Sequence, residues 1–167
     1  ICEDANALSG DTVVIGGGNV AIDESRMALR SGSTKVSQYC LESRDIMPAA
    51  ADEVEEAEEE GITIGCGWGP KEILTENGKV KAVVFKKCLS VFDEEHRFNP
   101  QYDENDTITV ECENVILSIG QSIEWGGLLE GSKVELNRNN TAVADAVTLQ
   151  TGEEAIFVGG DVCAGPR

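Results

Sequence analysis

Over the first 66 residues, short apolar runs alternate with segments whose apolar residues recur at helical spacing. Short apolar runs are typical of buried strands, whereas spacings of three and four are typical of an amphipathic helix. A glycine, Gly32 or Gly61, follows each helical segment, as is common at helix ends. The pattern predicts a βαβ arrangement of strands and helices at Thr12–Ile15, Asn19–Ser31, Lys35–Leu41, Ala49–Glu60 and Ile62–Cys66. In the first helix, the residues predicted to face the sheet are Val20, Ile22, Met27 and Ala28.

After residue 66 the pattern is that of strands without intervening helices. The predicted strands are Glu72–Thr75, Val80–Phe92 and Thr107–Cys112. Asn77-Gly78 favours a tight turn between the first two, so an antiparallel meander is predicted. Residues 93–106 are charged and include Pro100, which predicts an exposed loop, and two later strands are predicted at Asn114–Ile119 and Ala155–Val158. The predicted fold class is α/β: a Rossmann-like parallel sheet with an inserted antiparallel β-meander.

The turn between the first strand and helix carries a functional motif. Gly16, Gly18 and Ala21 fit G-x-G-x-x-G/A. The first glycine permits the tight turn, the second lets the backbone approach a pyrophosphate, and the third small residue lets the helix pack close to the strand. Free N–H groups and the positive dipole end of the helix then face the phosphates. A glycine-rich turn that binds nothing is the alternative. The predicted dinucleotide contacts are Gly16, Gly17, Gly18, Asn19, Val20 and Ala21.

Charge restricts the kinds of partner. The net charge is −18, from 31 acidic and 13 basic side chains. This argues against nucleic acid, because phosphate contacts need lysine and arginine. No run approaches the roughly 20 apolar residues of a membrane span, so no membrane partner is predicted. Residues 52–60 carry seven acids in nine positions. They predict a solvated helix face with Val54 and Ala57 turned inward, and a partner-docking surface is the alternative.

The six cysteines and the single histidine argue against a metal centre. No two cysteines form a C-x-x-C pair, so zinc and iron–sulfur ligands are not predicted within the chain. Cys40, Cys66 and Cys88 lie in or beside strand patterns and are interpreted as buried apolar side chains in a reducing compartment. The N-terminus shows no signal-peptide pattern, and a cytoplasmic location is predicted. Since residue 1 is not Met, we expect a segment of a longer chain.

Four segments share motifs with a known family. In chain order they are Val13–Arg30 (VVIGGGNVAIDESRMALR), Met47-Pro48-Ala49, Ser118–Gln121 (SIGQ) and Thr148–Pro166 (TLQTGEEAIFVGGDVCAGP). On these motifs the chain resembles the pyridine-nucleotide domain of two-dinucleotide flavoprotein reductases, and in particular the small (β) subunit of glutamate synthase. The resemblance implies an NAD(P)-binding domain over residues 1–147. It also implies that residues 148–167 begin the C-terminal half of a split FAD-binding domain, most of which is absent.

The resemblance also implies further cofactor contacts. Gly160 and Asp161 are the implied FAD contacts, and Gly120 and Gln121 are implied to approach the nicotinamide half of the dinucleotide. No catalytic residues are predicted, because in such enzymes the cofactors carry the chemistry and the protein orients them. Asp23 and Arg26, which are three residues apart, are predicted to form a structural ion pair.

One departure from the family concerns the choice between NAD and NADP. The family often shows Tyr-Arg-Arg-x-x-Arg at the end of the second strand, where arginines hold the 2′-phosphate of NADP. In this chain Leu41 and Glu42 replace the two leading arginines, and only Arg44 remains. Glu42 lies 21 residues after Ala21, near the usual position of an acid that binds a ribose 2′-OH. NAD is therefore favoured over NADP, and both stay open.

The predicted function is that of an NAD(P)H-binding module that passes hydride to FAD. Because the chain has no redox C-x-x-C pair, electrons are expected to go on to a redox partner subunit or an iron–sulfur module. A non-catalytic nucleotide-sensing or docking module is the alternative. A short-chain dehydrogenase would need a lysine four residues after a tyrosine, but Ser43 follows Tyr39 and Asp106 follows Tyr102 at that spacing.

Overall fold

The computed structural model describes residues 8–165, which form two compact units that divide after residue 119. The first unit contains seven strands: β1 (Asp11–Ile15), β2 (Lys35–Cys40), β3 (Thr63–Cys66), β4 (Trp68–Glu76), β5 (Lys79–Phe92), β6 (Phe98–Glu111) and β7 (Asn114–Leu117). Its helices are α1 (Asn19–Arg30) and α2 (Ala51–Glu59), with a 3₁₀ helix at Arg44–Ile46. The second unit contains the short helix α3 (Asp161–Ala164).

Four strands form a parallel sheet in the order β3-β2-β1-β7. β1 lies inside the sheet, where Val13 is in register with Ser37 of β2 and with Val115 of β7. Because all four strands run the same way, their carboxyl ends share one edge, where ligands bind in folds of this kind. The predicted βαβ arrangement is confirmed.

The two faces of the parallel sheet are covered by different layers. Val14 packs with Ile22 of α1 and Val54 of α2, so the helices cover one face. Val13 and Ile15 point the opposite way, as neighbours along a strand must, and pack with residues of β5 that include Phe85. The meander therefore covers the other face of the sheet.

The meander is an antiparallel sheet in the order β4-β5-β6. Phe85 of β5 is fully buried and stacks on Tyr39 of β2, with ring centroids 4.4 Å apart. The predicted fold class is thus confirmed. The predicted loop over residues 93–106 is wrong, since β6 already begins at Phe98. The 14-residue β5 needs a partner along its second half, and Pro100 lies where the β5–β6 register shifts, on an edge strand that tolerates proline.

Helix α1 buries a narrower face than the sequence predicts. Ala21, Ile22, Ser25 and Ala28 are its buried residues, at helical spacings of one, four and seven. Val20 and Met27 are 51% and 57% exposed, so their predicted contact with the sheet is wrong. Small side chains occupy three of the four buried positions, which lets the helix lie close to the strands.

Helix α2 packs beside α1 and begins at Ala51, two residues later than predicted. Val54 and Ala57 are buried, as predicted. The ion pair predicted between Asp23 and Arg26 is wrong, because Arg26 pairs across the helices with Glu53, Glu56 and Glu60 of the acidic segment. Part of the acidic segment at residues 52–60 is therefore used in ion pairs with α1.

The second unit has little regular structure in its described residues. Isolated bridges join Leu136 with Ala142, Ala144 with Thr151 and Gln150 with Phe157. The strand predicted at Ala155–Val158 is wrong, since only Phe157 forms such a bridge there. The backbone is held instead by turn hydrogen bonds, among them the bond from Thr151 N to Ile156 O at 2.9 Å.

Among the described cysteines, Cys40 and Cys88 are buried as predicted, whereas Cys66 is only partly buried. In residues 8–165 no helix has both the length and the apolar character needed to span a membrane.

Candidate functional site

The glycine loop follows β1 at the carboxyl edge of the parallel sheet. Gly16 N donates to Tyr39 O at 2.9 Å, and Ser118 N donates to Ile15 O at 2.8 Å, so the loop starts between β2 and the end of β7. Gly16 has a φ of 153°, and a Cβ there would overlap the carbonyl of Ser118. The first glycine of the motif is therefore required by the close approach of two strand ends.

No neighbouring residue in the described chain requires a glycine at position 18. It has φ −90° and ψ 174°, which any residue adopts, and a Cβ at this position would meet no protein atom within 4 Å. The space beside Gly18 is thus open. This is the geometry expected where a ligand, rather than the protein, excludes a side chain.

The N-terminus of α1 faces this open space with unsatisfied donors. Gly18 O accepts from Ala21 N at 3.0 Å and from Ile22 N at 3.3 Å. Within residues 8–165, no acceptor is found for the N–H groups of Gly17, Asn19 and Val20. The first turn holds no acidic side chain. Free N–H groups at the positive end of a helix dipole together favour an anion such as a pyrophosphate.

Glu42 lies beside the glycine loop. A Cβ built on Gly17 would be 2.8 Å from Glu42 Oε2 and 3.0 Å from Cys40 Cβ, so Gly17 leaves room for the carboxylate. The chain then returns to the loop, because Ala49 N donates to Gly17 O at 3.0 Å. Ala50 N also donates to Asn19 Oδ1 at 2.8 Å. The structure thus brings the two sequence-predicted groups, loop and acid, together.

Two residues that hold the loop were not found from the sequence. Gln38, fully buried in the middle of β2, donates from Nε2 to Gly16 O at 3.0 Å. Its Oε1 accepts from Ser25 Oγ of α1 at 2.9 Å. The polar residue inside an otherwise buried strand was the available signal, since a buried amide needs partners.

Arg44 does not point at the loop. Its Nη1 and Nη2 donate to Glu58 Oε1 and Oε2 of α2 at 2.8 and 2.7 Å, a bidentate pair that lowers the pKa of Glu58. Leu41, at the position of the family's first arginine, lies against Gly69 of β4, where a Cβ would be 2.9 Å from Leu41 Cδ2. Of these three predicted contacts, only Glu42 lies at the loop.

Three of the described thiols, those of Cys40, Cys88 and Cys112, are buried. Burial raises the pKa of the Cys40, Cys88 and Cys112 thiols, which disfavours the reactive thiolate. All five described cysteines are free.

The remaining predicted contacts lie in the second unit. Gly120 and Gln121 are exposed residues that follow β7, and Gly120 has a φ of 103°. Gly160 precedes α3 with a φ of 64°, and Asp161 is the exposed first residue of that helix. Their roles as nicotinamide and FAD contacts stay predictions.

Two relatives are similar in sequence to this chain over nearly all of its length. The β subunit of the NADP(+)-dependent formate dehydrogenase of Moorella thermoacetica is 35% identical over 163 residues, which are 96% of this chain and 23% of that protein. The small chain of the NADPH glutamate synthase of Azospirillum brasilense is 29% identical over 161 residues, again 96% of this chain and 33% of that protein. The chain therefore spans about a quarter to a third of the length of these relatives.

The fold recurs in solved structures. Thioredoxin reductase of T. acidophilum superposes with a TM-score of 0.74 at 17% identity, over 98% of this chain and 53% of that one. The family model described as "Pyridine nucleotide-disulphide oxidoreductase" matches residues 2–167. The family resemblance and the oxidoreductase class predicted from the sequence are both confirmed, with a pyridine nucleotide and FAD as the cofactors of the family. The chain belongs to the pyridine nucleotide-disulphide oxidoreductase family.

Proposed function

We propose that this chain is the NAD(P)H-binding module of a flavoprotein oxidoreductase that passes hydride from NAD(P)H to FAD. The observation that supports the proposal most directly is the open space at Gly18, faced by the free N–H groups of the first turn of α1. If the turn bound nothing, no atom of the described chain would exclude a side chain at position 18. The glycine loop then holds the pyrophosphate, and Glu42 accepts a hydrogen bond from the 2′-OH of the adenosine ribose.

The protein's part in this chemistry is to bind and orient. The nicotinamide supplies a hydride, and the flavin accepts it. Gly120 and Gln121 contact the nicotinamide half, and Gly160 and Asp161 contact FAD held mainly by an FAD domain of the same full-length protein. Because the chain has no C-x-x-C pair, electrons pass on to a redox partner subunit or an iron–sulfur module. The relatives named above are subunits or chains of larger enzymes, which supports such a partner. We also propose a cytoplasmic location.

The choice between NADH and NADPH is the point on which the relatives' names and this chain's residues favour different cofactors. Their names specify NADP(+) or NADPH. In this chain the position beside Gly17 holds the carboxylate of Glu42, and the guanidinium of Arg44 is paired with Glu58. A 2′-phosphate would meet negative charge at Glu42 without the charge-assisted bonds that paired arginines supply. We therefore propose a preference for NADH.

The first test uses Gly18→Val in the full-length protein. The valine side chain fills the pyrophosphate space but meets no protein atom, so we expect normal thermal unfolding, loss of NADH binding in calorimetry and loss of NADH oxidation with an artificial electron acceptor. Gly127→Val is a matched control at a glycine in a turn of the second unit, where a Cβ makes only ordinary contacts of 3.5 Å or more.

Unchanged NADH affinity in Gly18→Val would show that the loop is only a structural turn. The non-catalytic alternative is a nucleotide-sensing or docking module, with the acidic α2 as a partner surface. It predicts nucleotide binding that Gly18→Val abolishes, but no hydride transfer to any acceptor in the full-length wild type.

The second test exchanges the residues at the two missing arginine positions. We expect Leu41→Arg with Glu42→Arg to make the binding free energy of NADPH more favourable relative to that of NADH by about 1.5–3 kcal/mol, the scale of hydrogen bonds to charged groups. Leu89→Arg with Glu94→Arg makes the same net charge change at exposed positions of the same unit. Equal shifts in both double variants, or tighter binding of NADPH than NADH by the wild type, would contradict the assignment of Glu42.

A further inference from the structure

Arg44 lies in a segment whose two ends are both held at the glycine loop. Glu42 packs beside Gly17, and Ala49 N donates to Gly17 O at 3.0 Å. The 3₁₀ helix that begins with Arg44 therefore lies between these two contacts, and Arg44 is two residues along the chain from Glu42, beside which we place the adenosine ribose. Arg44 is also the one basic residue between positions 41 and 50. It is the cation that a 2′-phosphate would have available from this segment.

The guanidinium of Arg44 is already in use. Both of its terminal nitrogens donate to the carboxylate of Glu58, at 2.8 and 2.7 Å. A bidentate carboxylate occupies the same two parallel donor directions that a phosphate would occupy. The hydrogen bond from Arg44 lowers the pKa of Glu58, so the pair stays charged at neutral pH.

Glu58 also differs from its acidic neighbours in what it binds. Glu53, Glu56 and Glu60 pair with Arg26 of α1, and Glu60 pairs with Arg30 as well. Glu59 is exposed and forms no ion pair with any residue of the described chain. Removal of Glu58 therefore frees one arginine, whereas removal of Glu59 changes only the net charge.

We propose that Glu58 is a positioning residue for cofactor choice, which holds Arg44 away from the 2′-phosphate of NADPH and so favours NADH. The proposal rests on the proposed function, because it takes the ribose to lie beside Glu42. NADPH can recruit Arg44 only after the pair with Glu58 breaks. NADH has no group that needs Arg44, so the pair leaves its affinity unchanged.

The test measures dissociation constants of NADH and NADPH by calorimetry for the full-length wild type, Glu58→Gln, Glu58→Ala and Glu59→Gln. We expect each Glu58 variant to bind NADPH roughly two- to fivefold more tightly, the upper range of what an exposed ion pair contributes, and to bind NADH as the wild type does. Glu59→Gln should bind both dinucleotides as the wild type does. Adding Arg44→Gln to Glu58→Gln should remove the gain in NADPH affinity.

Three outcomes would overturn the proposal while NADH binding upholds the proposed function. They are unchanged NADPH affinity in both Glu58 variants, an equal gain in Glu59→Gln, and a gain that survives Arg44→Gln. If the wild type binds neither dinucleotide, the proposed function fails and this inference fails with it. Both Glu58 and Arg44 are nearly half exposed, so thermal unfolding of the variants should stay close to that of the wild type.

Discussion

At the scale of single residues, the glycine loop depends on a polar contact beneath it. Gln38 is fully buried, donates to Gly16 O and accepts from Ser25 Oγ. A buried amide with both ends satisfied joins β2, α1 and the loop at one point. The shape of the loop is therefore held by a residue that lies on a different strand and does not itself face the open space at Gly18.

Replacement of this amide tests that contact. We expect Gln38→Leu to lower the free energy of unfolding by about 1–3 kcal/mol, because it leaves the buried Gly16 O without its donor, whereas Ser25 Oγ keeps its bond to Ala21 O. We also expect weaker NADH binding, since the loop loses its anchor. Urea denaturation and calorimetry measure the two effects. Gln101→Leu, at an exposed position of β6, is the matched control. Identical unfolding free energies for the two variants would contradict this account of Gln38.

At the scale of elements, ion pairs join the two helices that cover the sheet, and Arg26 makes more of them than Arg30 does. Arg26 of α1 donates from Nε to Glu60 Oε1 at 2.8 Å and lies within 3.3 Å of the carboxylates of Glu53 and Glu56. The hydrogen bond to Glu60 raises the pKa of Arg26 and lowers that of Glu60. This contact also brings a cation to an acidic segment that would otherwise repel itself.

The lowered pKa of Glu60 gives this contact a pH dependence. A carboxylate whose pKa is lower in the folded state stabilises that state above its ordinary pKa of about 4.3, and the contribution is lost as the pH falls through that value and below it. We expect Arg26→Gln to melt at a lower temperature than the wild type at pH 7, and the difference to shrink below about pH 4.3.

Thermal unfolding monitored by circular dichroism between pH 7 and pH 3 measures this difference. Arg138→Gln is the control, because Arg138 is exposed and makes no ion pair with residues 8–165. A melting difference for Arg26→Gln that stays constant across this range would show that the aliphatic part of Arg26, rather than its charge, stabilises the helix pair.

At the scale of the whole molecule, the chain carries one complete dinucleotide motif, and we propose that it also carries a short piece of a second, FAD-binding site. The first unit has a sheet covered on both faces, with its own buried core. Gly160 and Asp161 of the second unit, at the start of α3, are the residues proposed to contact FAD. The relatives of this chain are about three to four times as long as the segment that they share with it. Their remaining length leaves room for the rest of such a site.

We expect this 167-residue chain, expressed by itself, to be purified without bound FAD. One edge of a site leaves most of a flavin exposed, far from the burial of about 70–90% that is typical of cofactor pockets. Visible absorption of the purified chain measures flavin content, and the full-length protein is the control, which should be yellow. A yellow preparation of the chain with one flavin per molecule would contradict the proposed split of the FAD site.

The sequence by itself determined the order of strands and helices in the first unit, though not all of their bounds, and the position of the glycine loop. Both depend on residues close together in the chain: the periodicity of apolar positions sets strands and helices, and a glycine motif between a strand and a helix requires no distant partner. The family followed for the same reason, because the motifs at Val13–Arg30 and Thr148–Pro166 are contiguous.

Only the tertiary structure decided which distant residues meet. The first half of β6, from Phe98, forms because β5 is long enough to pair with it, although this segment is charged and contains Pro100. Arg26 pairs with carboxylates of the acidic segment rather than with Asp23, because the packing of α1 against α2 places those carboxylates within reach. Arg44 pairs with Glu58 of α2. Contacts between residues far apart in the chain depend on how the elements pack, and local sequence patterns do not carry that information.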